Sequence, residues 1–186
     1  MPITHINRKG QTYTLHVGTT RAGNPKYFFS RSSEGALAEQ LPEDLEIYEQ
    51  PTGQVSVRRA RPQVITDEEL QVLEGELARA PSVQHAYVDR DREVMTVFVA
   101  DVGDLEAIQR KFAPFVRFEP SDIKVRYDPV FKFVLVDVEE RTFQAQRYCY
   151  RGSIDRWIFV GSAGSLAEVA RRNLVHINKD SYYELW

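Results

Sequence analysis

Phe131-Lys132-Phe133-Val134-Leu135-Val136-Asp137-Val138 is the stretch on which the fold turns. It is rich in aromatic and β-branched residues. Its nearly continuous apolar run suits a strand buried on both faces. Glu139-Glu140-Arg141 breaks it, and Thr142 to Arg151 and Asp155 to Val160 read as two further strands. An amphipathic helix, Ser165 to His176, follows at once. Its apolar stripe is Leu166, Val169, Ala170, Leu174 and Ile177, and Ser165 with Glu168 has capping-box spacing. The rest of the chain is shorter or more polar in its segments and is expected to pack around this unit.

Upstream, Thr66-Asp67-Glu68-Glu69 is a second capping box, with Ile65 and Leu70 at hydrophobic-staple spacing. Leu70, Leu73 and Leu77 continue as a helical stripe that should end near Ala80, before Pro81. Gln84 to Asp89 and Glu93 to Ala100 read as a hairpin around Arg90-Asp91-Arg92, a turn without Gly or Asn. Asp101 can cap another helix, Gly103 to Phe112. Pro114, Pro120 and Pro129 then break the chain into loop and a short strand, Lys124 to Tyr127.

Before Pro62 the pattern is β-structure. Tyr13 to Val17 alternates apolar with polar residues, and Lys26 to Ser30 reads as its returning strand. Glu46 to Glu49 and Gln54 to Arg58 flank the turn Pro51-Thr52-Gly53. The expected architecture is α+β: a small N-terminal β-rich module (1–62), then a domain (63–186) with an antiparallel sheet and three helices. That domain is organised on strands within 131–160 and the helix 165–176.

Composition narrows the function classes. The chain has 186 residues, 42% hydrophobic and 27% charged, with a net charge of −3, which excludes a disordered chain. Up to Pro62 there are eight bases against six acids, a balance of +2, which leaves −5 for the remainder. That is not the basic footprint of a dedicated nucleic-acid binder. Cys149 is the single cysteine, so neither a disulfide framework nor a Cys-based zinc site can form. Residues Met1 to Lys9 hold no apolar signal region, and no apolar run approaches the roughly 20 residues of a membrane span. The expectation is a cytoplasmic protein away from membranes.

Four constellations carry chemistry, each beside a plainer reading. Gly161-Ser162-Ala163-Gly164-Ser165 lies between a strand and a helix start, where backbone N–H groups can bind a phosphate. It lacks the P-loop lysine and the Gly-x-Gly-x-x-Gly spacing, and a Ser-capped turn also explains it. Asp128, Asp137 and Glu139 can offer oxygen ligands to a divalent metal, with Glu140, Asp122 and Lys124 nearby. Carboxylates at a hairpin end are more often a solvated rim. Arg58, Arg59 and Arg61, with Tyr27, can hold phosphates and stack a base. They also suit a solvated face over a core strand. Cys149 with one of His5, His16, His85 or His176 can form a nucleophile–base dyad, but none of the histidines has ligand or dyad spacing. A lone strand cysteine is ordinarily a small buried hydrophobe.

The reading that follows is a binding or accessory protein without a catalytic set. Its partner would be another protein, a nucleic acid or a second copy of the chain, and no cofactor is expected. The alternative is an enzyme, a metal-dependent phosphodiester hydrolase built on Asp128, Asp137 and Glu139. The closing residues Tyr182, Tyr183, Leu185 and Trp186 are expected to fold back as a short strand, Tyr183 and Leu185 on one face and Tyr182 and Trp186 on the other.

Overall fold

The computed structural model describes residues 1–50, 52–83, 85–100, 127–149 and 155–186. The expected helix Gly103 to Phe112 and most of the strand Lys124 to Tyr127 lie outside these residues. Antiparallel sheets and helices are both present, so the fold is α+β, with two α-helices among the described residues. The chain divides into two compact units, the first built on Met1–Arg61 and the second beginning at Pro62.

In the first unit, β1 (Thr4–Ile6), β2 (Thr12–Thr19) and β3 (Pro25–Ser30) form an antiparallel sheet in the order β1-β2-β3. The strand β1 carries no alternating apolar signal and was not anticipated. A separate hairpin pairs β4 (Leu45–Glu49) with β5 (Val55–Arg59). Leu15 and Val55 are the buried aliphatics of this small unit. Asn7, buried, ties its turns together. Its Oδ1 accepts from the N–H groups of Lys9 and Gln11, and its Nδ2 donates to the Gly53 carbonyl at 2.6 Å. Glu49 adds an ion pair with Arg8 at 2.6 Å.

The second unit is a sheet of five antiparallel strands in the order β10-β9-β8-β7-β6. They are β6 (Ala86–Asp91), β7 (Val94–Ala100), β8 (Tyr127–Asp137), β9 (Thr142–Cys149) and β10 (Arg156–Gly164). Two helices, α1 (Asp67–Ala78) and α2 (Leu166–Leu174), lie against one face. Period-2 alternation decides what that face receives: Met95, Val97, Phe131, Phe133, Leu135, Phe143, Ala145 and Val160 point to the helices and are buried. The hairpin β6–β7 turns through Arg92 and Glu93, with Arg92 at φ 58°, a left-handed position where Gly or Asn would be easier.

The apolar stretch that announced the fold behaves differently from expectation. Burial on both faces was expected for Phe131 to Val138. Instead Phe131, Phe133 and Leu135 are buried, while Lys132 and Val134 are half-buried and Val136 is 46% exposed. The helices cover one face only.

Helix α1 starts as its sequence specifies. The Glu69 N–H donates to Thr66 Oγ1 at 3.3 Å, and the Thr66 N–H donates to the Glu69 carboxylate at 2.9 Å. The same carboxylate receives the Arg141 guanidinium from the β8–β9 turn. The start of α2 departs from the expected box. Ser165 Oγ does not accept a helix N–H; it donates to Glu168 Oε2 at 2.8 Å. Thr66→Ala should therefore cost about 1 kcal/mol, the usual loss of a cap, and Ser165→Ala distinctly less. Urea midpoints of the two variants check this, and equal losses would mean that Ser165 caps after all.

Glu76 joins the helices. It is buried, and its Oε1 accepts from Arg79 at 2.9 Å and from Arg171 of α2 at 3.0 Å. The hydrogen bond from Arg171 leads, with the charges of Arg171 and Arg79 behind it, in holding the Glu76 carboxyl below its ordinary value of 4.5. A carboxylate with a lowered folded pKa stabilises the fold above its unfolded pKa, and that contribution is lost as pH falls through the folded value. Glu76→Gln should lower the thermal midpoint at pH 7 and flatten its fall below about pH 4.5. A parent and variant with parallel acid limbs would contradict this.

Candidate functional site

The two faces of the larger sheet differ in chemistry. On the helix-free face the register places Asp89, Thr96, Lys132, Gln146 and Phe159 in one row across its strands. The neighbouring row is aromatic. Tyr87 stacks on Phe98 with ring centroids 5.0 Å apart, and Tyr148 meets Trp157 edge-on at 5.4 Å. Lys132 Nζ lies 4.5 Å from the centre of the Trp157 ring, which ties the two rows together. Phe159 is 48% exposed, and Val136 stands exposed at the end of β8. Gln144 and Gln146 are half-buried here, and Gln144 donates to the Gly161 carbonyl at 2.8 Å.

The glycine–serine stretch lies at the edge of this sheet. It was expected as a strand-to-helix turn, but β10 runs on through Gly164, with a bulge between Val160 and Gly164 and Gly161 at φ 64°. Its polar groups meet the protein itself. Arg172 donates to the Ser162 hydroxyl at 3.1 Å and to the Ser162 carbonyl, and Gly161 N–H donates to the Trp186 carbonyl. At the start of α2 the Glu168 carboxylate takes the Ser165 hydroxyl. That hydroxyl first, and the Ser165 backbone N–H second, hold the Glu168 carboxyl below its usual range. The chain's own carboxylate thus sits where a phosphate at this helix start would be held.

The acidic candidates are not brought together. Asp128 and Asp137 lie near opposite ends of β8, about 30 Å apart at the rise of an extended strand. Glu139 was expected on the same strand face as Asp137. The strand ends at Asp137, and Asp137 Oδ1 instead accepts the N–H groups of Glu139 and Glu140 at 2.9 Å, closing the turn. Among the described residues no group of His, Cys, Asp or Glu is arranged to hold a metal ion.

The arginines of the first unit are also divided. Arg58 and Arg59 are successive residues of β5, so their side chains leave opposite faces. Arg58 Nε donates to Glu46 at 2.6 Å, and its guanidinium lies 4.1 Å from the centre of the Tyr48 ring. Arg59 is exposed at the strand end, and Arg61 lies beyond it. Tyr27 is on β3, opposite Val17 in the register. Cys149 is a buried thiol on the helix side of β9. His5 meets Glu49, His16 the Ser32 carbonyl and His176 the Ser181 hydroxyl, so these three are engaged elsewhere.

Compared with protein-family models, curated proteins and solved structures, the chain matches none. No helix among the described residues is long and apolar enough to cross a membrane. The aromatic row was missed in the sequence because its members lie far apart along the chain. The available signal was that Tyr87, Phe98, Tyr148 and Trp157 each fall at strand positions opposite in phase to the buried residues.

Proposed function

We propose that the protein is a binding protein without catalytic chemistry of its own, which docks a partner protein on the helix-free face of its larger sheet. The observation that carries this reading is the apolar and aromatic character of a face without helices: Val136 and Phe159 are exposed beside Tyr148 and Trp157. Exposed apolar patches on a sheet mark interaction surfaces, and Trp and Tyr are the residues that dominate binding energy in them. The half-buried Gln144 and Gln146 supply hydrogen bonds that fix register. The partner's matching chemistry is a set of aliphatic or aromatic side chains flanked by amide or hydroxyl groups.

A nucleic acid fits this face less well. Lys132 is its central cation, Asp89 shares its row, and the chain beyond Pro62 carries −5. Phosphate binding needs the opposite balance. Hydrolysis through Asp128, Asp137 and Glu139 would need carboxylates within reach of one ion, which their spacing along β8 opposes.

A photo-crosslinking residue tests the reading in cells. Placed at Phe159 or Val136 it should capture the same protein, and placed at the exposed helix positions Val72 or Val175 it should not. Adducts that nuclease removes would favour a nucleic acid, and adducts of the chain with itself a second copy. Equal capture at all four positions would count against this face as the site.

A further inference from the structure

Arg147 stands on the helix side of β9 and is 2% exposed. Its Nε donates to the Leu185 carbonyl at 2.9 Å, Nη2 to the Tyr183 carbonyl at 3.1 Å and Nη1 to the Tyr148 carbonyl at 3.3 Å. The rings of Tyr182 and Trp186 lie 5.8 Å and 5.5 Å from its Cζ. No carboxylate pairs with it among the described residues. A buried cation with no anion is costly. Here only carbonyl dipoles and ring faces offset the cost, and most of them belong to one short segment.

That segment is a 3₁₀ turn, Asp180–Glu184, followed by Leu185 and Trp186. The expected strand alternation fails because a 3₁₀ turn repeats every three residues, so Tyr182 and Leu185 share the inward side. Both pack on the core, and Tyr182 Oη donates to the Val130 carbonyl at 2.7 Å. Tyr183 and Trp186 are 65% and 61% exposed. A cleft of about 290 Å³ opens beside the turn, between Val130, Ile177 and Tyr182, with Lys179 on its wall.

We infer that Asp180–Trp186 is a displaceable strap whose carbonyls stand in for an oxyanion on Arg147. Lifting the strap uncovers a guanidinium at the floor of an apolar pocket, the geometry that binds a carboxylate or phosphate through paired N–H groups. Lys179 supplies a second positive charge at the rim. This site is independent of the open sheet face.

Hydrogen exchange on the intact chain, with inorganic phosphate as the probe, tests the inference. The Tyr182 N–H bonds the Lys179 carbonyl and the Gly161 N–H bonds the Trp186 carbonyl, so both amides report the strap. Saturating phosphate should speed exchange at these two amides several-fold and leave Phe133 and Ala145 unchanged. Arg147→Met should abolish the response. Tyr182→Ala loosens the strap while keeping the guanidinium, and covers the case in which Arg147→Met fails to fold. In a Trp157→Phe background, where Trp186 is the sole tryptophan, it should bind phosphate about tenfold more tightly, because less of the affinity goes into opening. Unchanged exchange with phosphate, or a Tyr182→Ala chain that binds phosphate no better than its parent, would overturn the inference.

Discussion

Phe131→Ala lowers the stability of the second unit by about 3–5 kcal/mol, the cost of emptying a large buried aromatic site. Phe131 has 0% exposure, and its ring lies 6.2 Å from Phe133 and 5.2 Å from Tyr182. It is flanked by Val97 on β7 and Arg147 on β9, whose backbones are fixed by the ladder and cannot close the void. Trp157 and Trp186 are the two tryptophans of the chain and both belong to this unit, so fluorescence in urea reads its unfolding. A double-mutant cycle with Tyr182→Ala should return a coupling of about 0.5–1.5 kcal/mol for the edge-on ring contact. Strictly additive losses would mean that the rings merely adjoin.

Leu73→Ala should cost about 2–5 kcal/mol, and Val72→Ala beside it no more than about 0.5 kcal/mol. Leu73 has 0% exposure and sits among the core residues that α1 shares with the sheet. Val72 is one step round the helix and faces solvent. The helix also holds Glu76, so the loss of Leu73 loosens the seat that Glu76 needs to meet Arg171. Similar midpoints for the two variants would place α1 in the wrong rotation.

What could be read from the sequence was chemistry that neighbours in the chain complete. Thr66 with Glu69 is such a case, because one helical turn brings cap and acid together. The stripes Leu73–Leu77 and Leu166–Leu174 are another, since a 3.6-residue period leaves one face for the core. Strand phase was also legible on the buried side, from Met95 to Phe143. The same motif failed at Ser165, where rotation of one hydroxyl toward Glu168 replaced the cap. No spacing rule sees that choice.

The candidate surface was hidden for a different reason. Tyr87, Phe98, Tyr148 and Trp157 come from β6, β7, β9 and β10, and only strand order and register bring them into a row. The apolar run at Phe131 was read as two-sided burial, while the described structure places helices on one side alone. That difference between what the strand's composition demands and what covers it is the basis for the open face as a binding surface. Conversely, the carboxylates Asp128 and Asp137 looked close because they share a strand, yet an extended strand separates residues faster than any other element. Arg147 gave no signal at all, since a buried arginine in a strand is marked only by the distant segment that covers it.

The affinity of the partner captured at Phe159, measured by titration calorimetry with purified proteins, tests the account most directly. Phe159→Arg and Trp157→Ala should each weaken binding at least about tenfold, or about 1.4 kcal/mol, with the parent's melting temperature retained by Phe159→Arg. Val72→Arg on the helix face should bind as the parent does. Affinities for Phe159→Arg and Trp157→Ala within about twofold of the parent, roughly 0.4 kcal/mol, would contradict the assignment of function to the helix-free face.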